Sequence, residues 1–200
     1  MDRTRLQSAA AEYPYLRGLA AVPLGFLFVV AALGNWEWGP LRHAWAFGAA
    51  ILLIGAAWAA VNRFYNEHYG RVTPSVRRQR RAAAAGLLAV ALMLGITTLL
   101  RSRASWSLDL PVNPIPAAFG LLMLAYYALV VGLRAHHVLI WGSLVVVGML
   151  PVWDGADPSN IGLVLCGLAV MVNGVCDHLV LVRALGAAGA PTLGPRNAGG

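Results

Sequence analysis

The sequence predicts an all-α fold: a polytopic membrane protein built as a bundle of six transmembrane helices, with a spacing that also fits three tandem helical hairpins. Three observations predict it. The 200 residues are 59% hydrophobic and only 12% charged, with a mean hydropathy of +0.67. A soluble domain carries about 25% charged residues, and its single core cannot hide this much apolar surface. The apolar residues fall in long blocks and not in period-2 alternation, which excludes a transmembrane β-barrel. Finally, the fifteen basic residues, all arginine, are distributed unevenly between alternate loops.

Residues 1–15 read as an interfacial segment ahead of the helical domain at 16–185. The expected spans are 16–34, 44–66, 82–100, 117–133, 137–153 and 161–182. Each is long enough for a hydrocarbon core of about 30 Å. The first block lacks a small-residue cleavage pattern, so it is expected to remain as a helix. The second is expected to run on through Arg63–Tyr69 to a C-terminal Gly70. Thr73-Pro74 then supplies an N-cap and a proline at N1 for the third.

The fourth and fifth spans are separated by Arg134-Ala135-His136-His137, read as a tight interfacial turn. A single helix over 117–153 would instead bury an arginine and two histidines in lipid at a cost of several kcal/mol. The sixth places Cys166, Asn173 and Asp177 on one face. Residues 186–200 are rich in Gly, Ala and Pro and read as a disordered tail.

Counting arginine by alternate loops gives twelve on one side and three on the other. The positive-inside rule then puts both termini in the cytoplasm. Trp36, Trp38, Trp45, Trp106 and Trp153 fall at the opposite boundary, where an aromatic belt belongs. The all-arginine, Ala- and Gly-rich usage reads as the bias of a GC-rich genome, and the expected location is a bacterial inner (plasma) membrane. In that setting the net charge of +7 reflects topology and anionic lipid rather than nucleic acid. Arg71, Arg77, Arg78, Arg80 and Arg81 form the dense basic loop expected to meet lipid headgroups or a protein partner. Small-xxx-small pairs such as Ala21/Gly25 permit close packing within the chain or in a homo-oligomer.

The candidate polar cluster gathers at the same cytoplasmic end. It comprises Asn62, Arg63, Glu67 and His68 from the second span, Arg134, His136 and His137 after the fourth, and Asn173, Asp177 and His178 from the sixth. A polar stripe within an apolar helix turns inward, because unpaired polar groups are costly in hydrocarbon. Asp177 is expected to pair with Arg63 or Arg134; without a cation it becomes a candidate for proton-linked work. The spacing assigns no metal site and no cofactor, and no nucleophile elbow or P-loop occurs. The leading expectation is a non-enzymatic scaffold, sensor or accessory subunit. The alternative is a small transporter or channel using Asp177, Asn173 and the histidines. A membrane enzyme with a cytoplasmic-face metal site stands third.

Overall fold

A computed structural model describes residues 17–68, Arg80, Ala84, 113–150 and 158–189. Every regular element among them is helical. Helix α1 spans Ala21–Asn35 and is entered through a 3-10 turn at Gly18–Ala20. Helix α2 spans Ala44–His68 and α3 spans Pro114–Tyr126, the latter running into a π-helical turn at Tyr127–Val131. Helix α4 spans Ala135–Met149 and α5 spans Pro158–Gly189.

Among the described residues, three stretches are long and apolar enough to cross a membrane: Gly18–Asn35, Ala44–His68 and Ser159–Ala184. Ile115–Val131 and Ala135–Met149 are shorter apolar helices. The all-helical, membrane-type fold therefore stands, with five helices among the described residues. The expected span at 82–100, the segment 1–15 and residues 190–200 lie outside the described residues.

Two boundaries differ from expectation for local reasons. Helix α3 starts at Pro114 because Asn113 is its N-cap, its side chain accepting from the Ile115 N–H at 3.2 Å, with proline in the first turn. The break before α4 lies at Gly132–Arg134, so His136 and His137 belong to the first turn of α4 and not to the turn itself. Gly132 makes the break: its N–H bonds the Tyr127 carbonyl at 2.7 Å, closing the π turn, and its φ of 111° is open only to glycine. Helix α5 also continues to Gly189, past the point where the tail was expected to begin.

The tightest seam joins the first described helix to the last. A Cβ on Gly25 would lie 2.5 Å from the Gly167 carbonyl oxygen, and one on Gly174 2.5 Å from that of Gly18. The two glycine pairs are each seven residues apart and run in opposite directions. Hence α1 and α5 are antiparallel, with backbones in contact where any side chain would separate them. Helices α3 and α4 form an antiparallel hairpin closed by Gly120 under the Trp141 carbonyl and Gly148 under Ala117. Trp141, Leu144 and Cys166 form the main buried cluster, with Phe28 and Phe119 against it. The hairpin expectation thus holds for α3–α4, whereas α1 packs most closely on α5 and not on its hairpin neighbour.

One end of the bundle is tied by Asn35, whose amide donates to Asn160 Oδ1 at 2.8 Å, and by the Asn113 N–H to the Gly148 carbonyl at 2.9 Å. The other end carries the C-terminal ends of α2, α3 and α5. Helix α2 therefore finishes at one end of the bundle and α3 begins at the other.

Candidate functional site

The site is built where the α3–α4 break meets α5. Asp177 is 3% exposed, Asn173 2% and His137 fully buried, as the shared helical face of Cys166, Asn173 and Asp177 requires. Residues His136 and His137 open α4, and both rings direct Nε2 at the same carboxylate oxygen, Asp177 Oδ1, at 3.0 Å each. The second oxygen, Oδ2, accepts from the Asn173 amide at 2.9 Å and from the Tyr127 hydroxyl at 3.4 Å. Asn173 spends its other amide hydrogen on the Tyr127 oxygen at 2.6 Å. An ionised carboxylate offers about four acceptor positions, and this one meets four donors from three helical segments.

The protonation pattern follows from the backbone. The Arg134 N–H donates to His137 Nδ1 at 3.2 Å, so the neutral ring carries its hydrogen on Nε2 and donates it to Asp177. The same contact satisfies one of the N–H groups left open at the start of α4. Tyr127 covers the ring, with centroids 3.8 Å apart, and His136 meets it edge-on at 4.1 Å. Position 127 begins the π turn, and π turns recur where a helix must re-aim a side chain.

A second polar knot lies beside the first. Tyr65 Oη accepts from the Leu19 N–H at 3.2 Å and bonds His178 Nδ1 at 2.8 Å. Arg17 reaches the Asn62 carbonyl at 3.1 Å and Asn66 Oδ1 at 2.8 Å, with its guanidinium 5.2 Å from the centre of the Tyr65 ring. That places a cation near the C-terminal end of α2, the favourable end of its dipole.

No family model, curated protein or solved structure matches this chain.

The structure brings His136, His137, Asn173 and Asp177 together in one network and sets His178 in its neighbour. Asn62 bonds the Trp58 carbonyl and offers its own carbonyl to Arg17. Arg134 contributes its backbone N–H. Arg63 and Glu67 stay apart: they pair with each other at 2.6 Å on the exposed face of α2. His68 is also exposed and bonds the Phe64 carbonyl. Arg80 is helical and exposed, while Arg71, Arg77, Arg78 and Arg81 lie outside the described residues.

The expected partner of Asp177 needs correcting. The carboxylate is held by two imidazoles, an amide and a phenol, and Arg63 is taken by Glu67 one turn along its own helix. Sequence reading missed Tyr127 and Arg17. Tyr127 sits inside an apolar block, where the next Gly–Leu–Arg break was the available signal. Arg17 fell at the edge of the first span and was counted only for its charge.

Among the described residues, His136, His137 and Asp177 are the one set whose metal-ligating atoms converge, all within 4.8 Å of one another. The cysteines do not take part: Cys166 is buried in the apolar cluster, and both it and Cys176 are free thiols.

Proposed function

We propose that this chain is a non-enzymatic integral membrane protein, a sensor or accessory subunit whose responsive centre is the Asp177 cluster. The observation that carries this reading is the filling of the carboxylate by its own protein. Two imidazoles, an amide and a phenol occupy its acceptor positions. A nucleophile or general base needs a face left open to substrate. This cluster instead ties the α3–α4 break to α5, so whatever disturbs it moves a helix junction.

In this reading the membrane is a bacterial inner membrane, the cluster lies at its cytoplasmic end, and both termini are cytoplasmic. The six-helix count belongs to the same proposal. Since α2 ends where α3 does not begin, the chain between them must change sides, and the apolar block at 82–100 is the stretch suited to do so. Arg71, Arg77, Arg78, Arg80 and Arg81 then lie on the cytoplasmic side, meeting anionic headgroups or a soluble partner. Transport through the cluster has less support, because protein groups already fill the acceptor positions of its carboxylate.

Extraction of the full chain in a mild detergent, followed by native mass spectrometry, tests the proposal. Anionic lipid or a stoichiometric protein should remain bound and be lost when Arg77, Arg78, Arg80 and Arg81 are changed together to Gln. A chain that carries neither overturns the accessory reading.

A further inference from the structure

We propose that His136, His137 and Asp177 form a binding site for a divalent metal ion of borderline character, zinc above all, and that its occupancy opens the Gly132–Arg134 turn. The inference deepens the sensor reading and rests on it. Two imidazole nitrogens and a carboxylate oxygen are a donor set that zinc favours. Each Nε2 lies 3.0 Å from Oδ1, and all three atoms lie within 4.8 Å of one another. A tetrahedral zinc with bonds of about 2.0–2.1 Å needs ligand atoms roughly 3.3 Å apart. Each Nε2–Oδ1 distance must therefore open by about 0.3 Å, and the two imidazole nitrogens must close by up to about 1.5 Å, a movement the turn before α4 has to accommodate.

The surroundings are arranged as they are around a metal-bound carboxylate. Asn173 and Tyr127 both hold Oδ2, which leaves Oδ1 as the oxygen turned to the imidazoles. Outer hydrogen bonds of this kind fix a ligand's orientation. The Asn173 side-chain oxygen Oδ1 is buried and has no hydrogen-bond partner among the described residues. His136 supplies the way in, because its side chain is 21% exposed while that of His137 is 1% exposed.

The coupling comes from His137. Its Nε2 can take a metal only after losing the hydrogen it now gives to Asp177. A neutral ring must then carry a hydrogen on Nδ1, with one proton leaving to solvent and one returning. That Nδ1–H would face the Arg134 N–H, donor against donor, where a hydrogen bond now stands. Metal ligation by His137 and the bond that caps α4 are therefore mutually exclusive. The ion must displace the backbone of the turn to bind through both histidines, and the turn is the segment held by the positive φ of Gly132.

The test uses the full chain in detergent, free of any polyhistidine tag, stripped with chelator and titrated with Co²⁺ and then Zn²⁺. One Co²⁺ per chain should bind, with visible absorption of a low-coordinate nitrogen/oxygen site, and Zn²⁺ should displace it. His136→Ala touches the most exposed ligand and should weaken binding at least about tenfold. Asp177→Asn should do the same, and His68→Ala should have no effect. Hydrogen exchange should speed up at the Arg134 amide when Zn²⁺ is present.

A folded wild-type chain that takes up no stoichiometric metal overturns the proposal, as does unchanged affinity in a folded His136→Ala. Unchanged exchange at Arg134 in a zinc-loaded chain overturns the coupling. If metal fails while lipid or partner is still retained on extraction, only the metal inference falls. If the lipid and partner are lost, the accessory reading falls independently.

Discussion

Asp177 concentrates the sequence's most expensive choice, a carboxylate inside an apolar bundle, and its neighbours show how that cost is met. Replacing it with Asn keeps the shape but turns an amide NH₂ toward groups that donate. His136 could answer by changing tautomer; His137 could do so only by giving up the hydrogen bond its Nδ1 accepts from the Arg134 N–H. Asp177→Asn should therefore destabilise the bundle by about 1–3 kcal/mol, the cost of a buried polar group left unmatched. Thermal unfolding in detergent would measure it, and a neutral result would mean that the donors are satisfied elsewhere. Gly132→Ala should cost about 1–3 kcal/mol for a different reason, since alanine is strained at a φ of 111°. Nothing packs within 4 Å of where its Cβ would go, so the penalty reports backbone strain alone.

At the scale of elements, the glycine seam between α1 and α5 makes the sharpest statement. A side chain at Gly167 would meet the Gly25 carbonyl oxygen at 2.6 Å. Gly167→Leu should separate the helices and lower stability by at least about 1–3 kcal/mol, the usual range for overpacking. Gly55→Leu on α2, whose Cβ would meet nothing within 4 Å, should be tolerated. Comparing the two by melting in detergent separates packing from hydropathy, which rises in both. Helix identity was legible in the sequence because length and apolar content decide it. The inward face of Cys166, Asn173 and Asp177 was legible too, since 100° per residue fixes which side chains align. The pairing of α1 with α5 was not, because a small-xxx-small pattern says that a helix can pack closely and says nothing about its partner. The π turn also escaped: one extra residue re-aims Tyr127, and no hydrophobic period reports it.

Across the whole molecule, polarity is sorted by end. Trp36, Trp38 and Trp45 are exposed near the Asn35–Asn160 tie, and the histidine network occupies the opposite end with Arg17 and Tyr65. In the proposed orientation, with Cys166 and Cys176 replaced, Glu37→Cys should react with an impermeant maleimide added to intact cells, and Arg80→Cys should react only after lysis. Reaction at both from outside would contradict the proposed orientation. Charge counting could foresee the polar end, but not that its carboxylate prefers imidazole to guanidinium. Arg63 has Glu67 within reach on an outer face, a local competition that loop totals do not register.

The seam between Gly18–Gly25 and Gly167–Gly174 has a consequence for the order in which the molecule is made. Helix α1 is made before α5, yet α5 is its closest neighbour among the described helices. Until that helix arrives, about 140 residues later, the backbone of α1 at its glycines has only lipid or a borrowed neighbour against it. Assembly is therefore a clasp that closes only once α5 has been made. A chain cut short before α5 should leave a helix with an open small-residue edge, the kind of surface that membrane quality control can recognise.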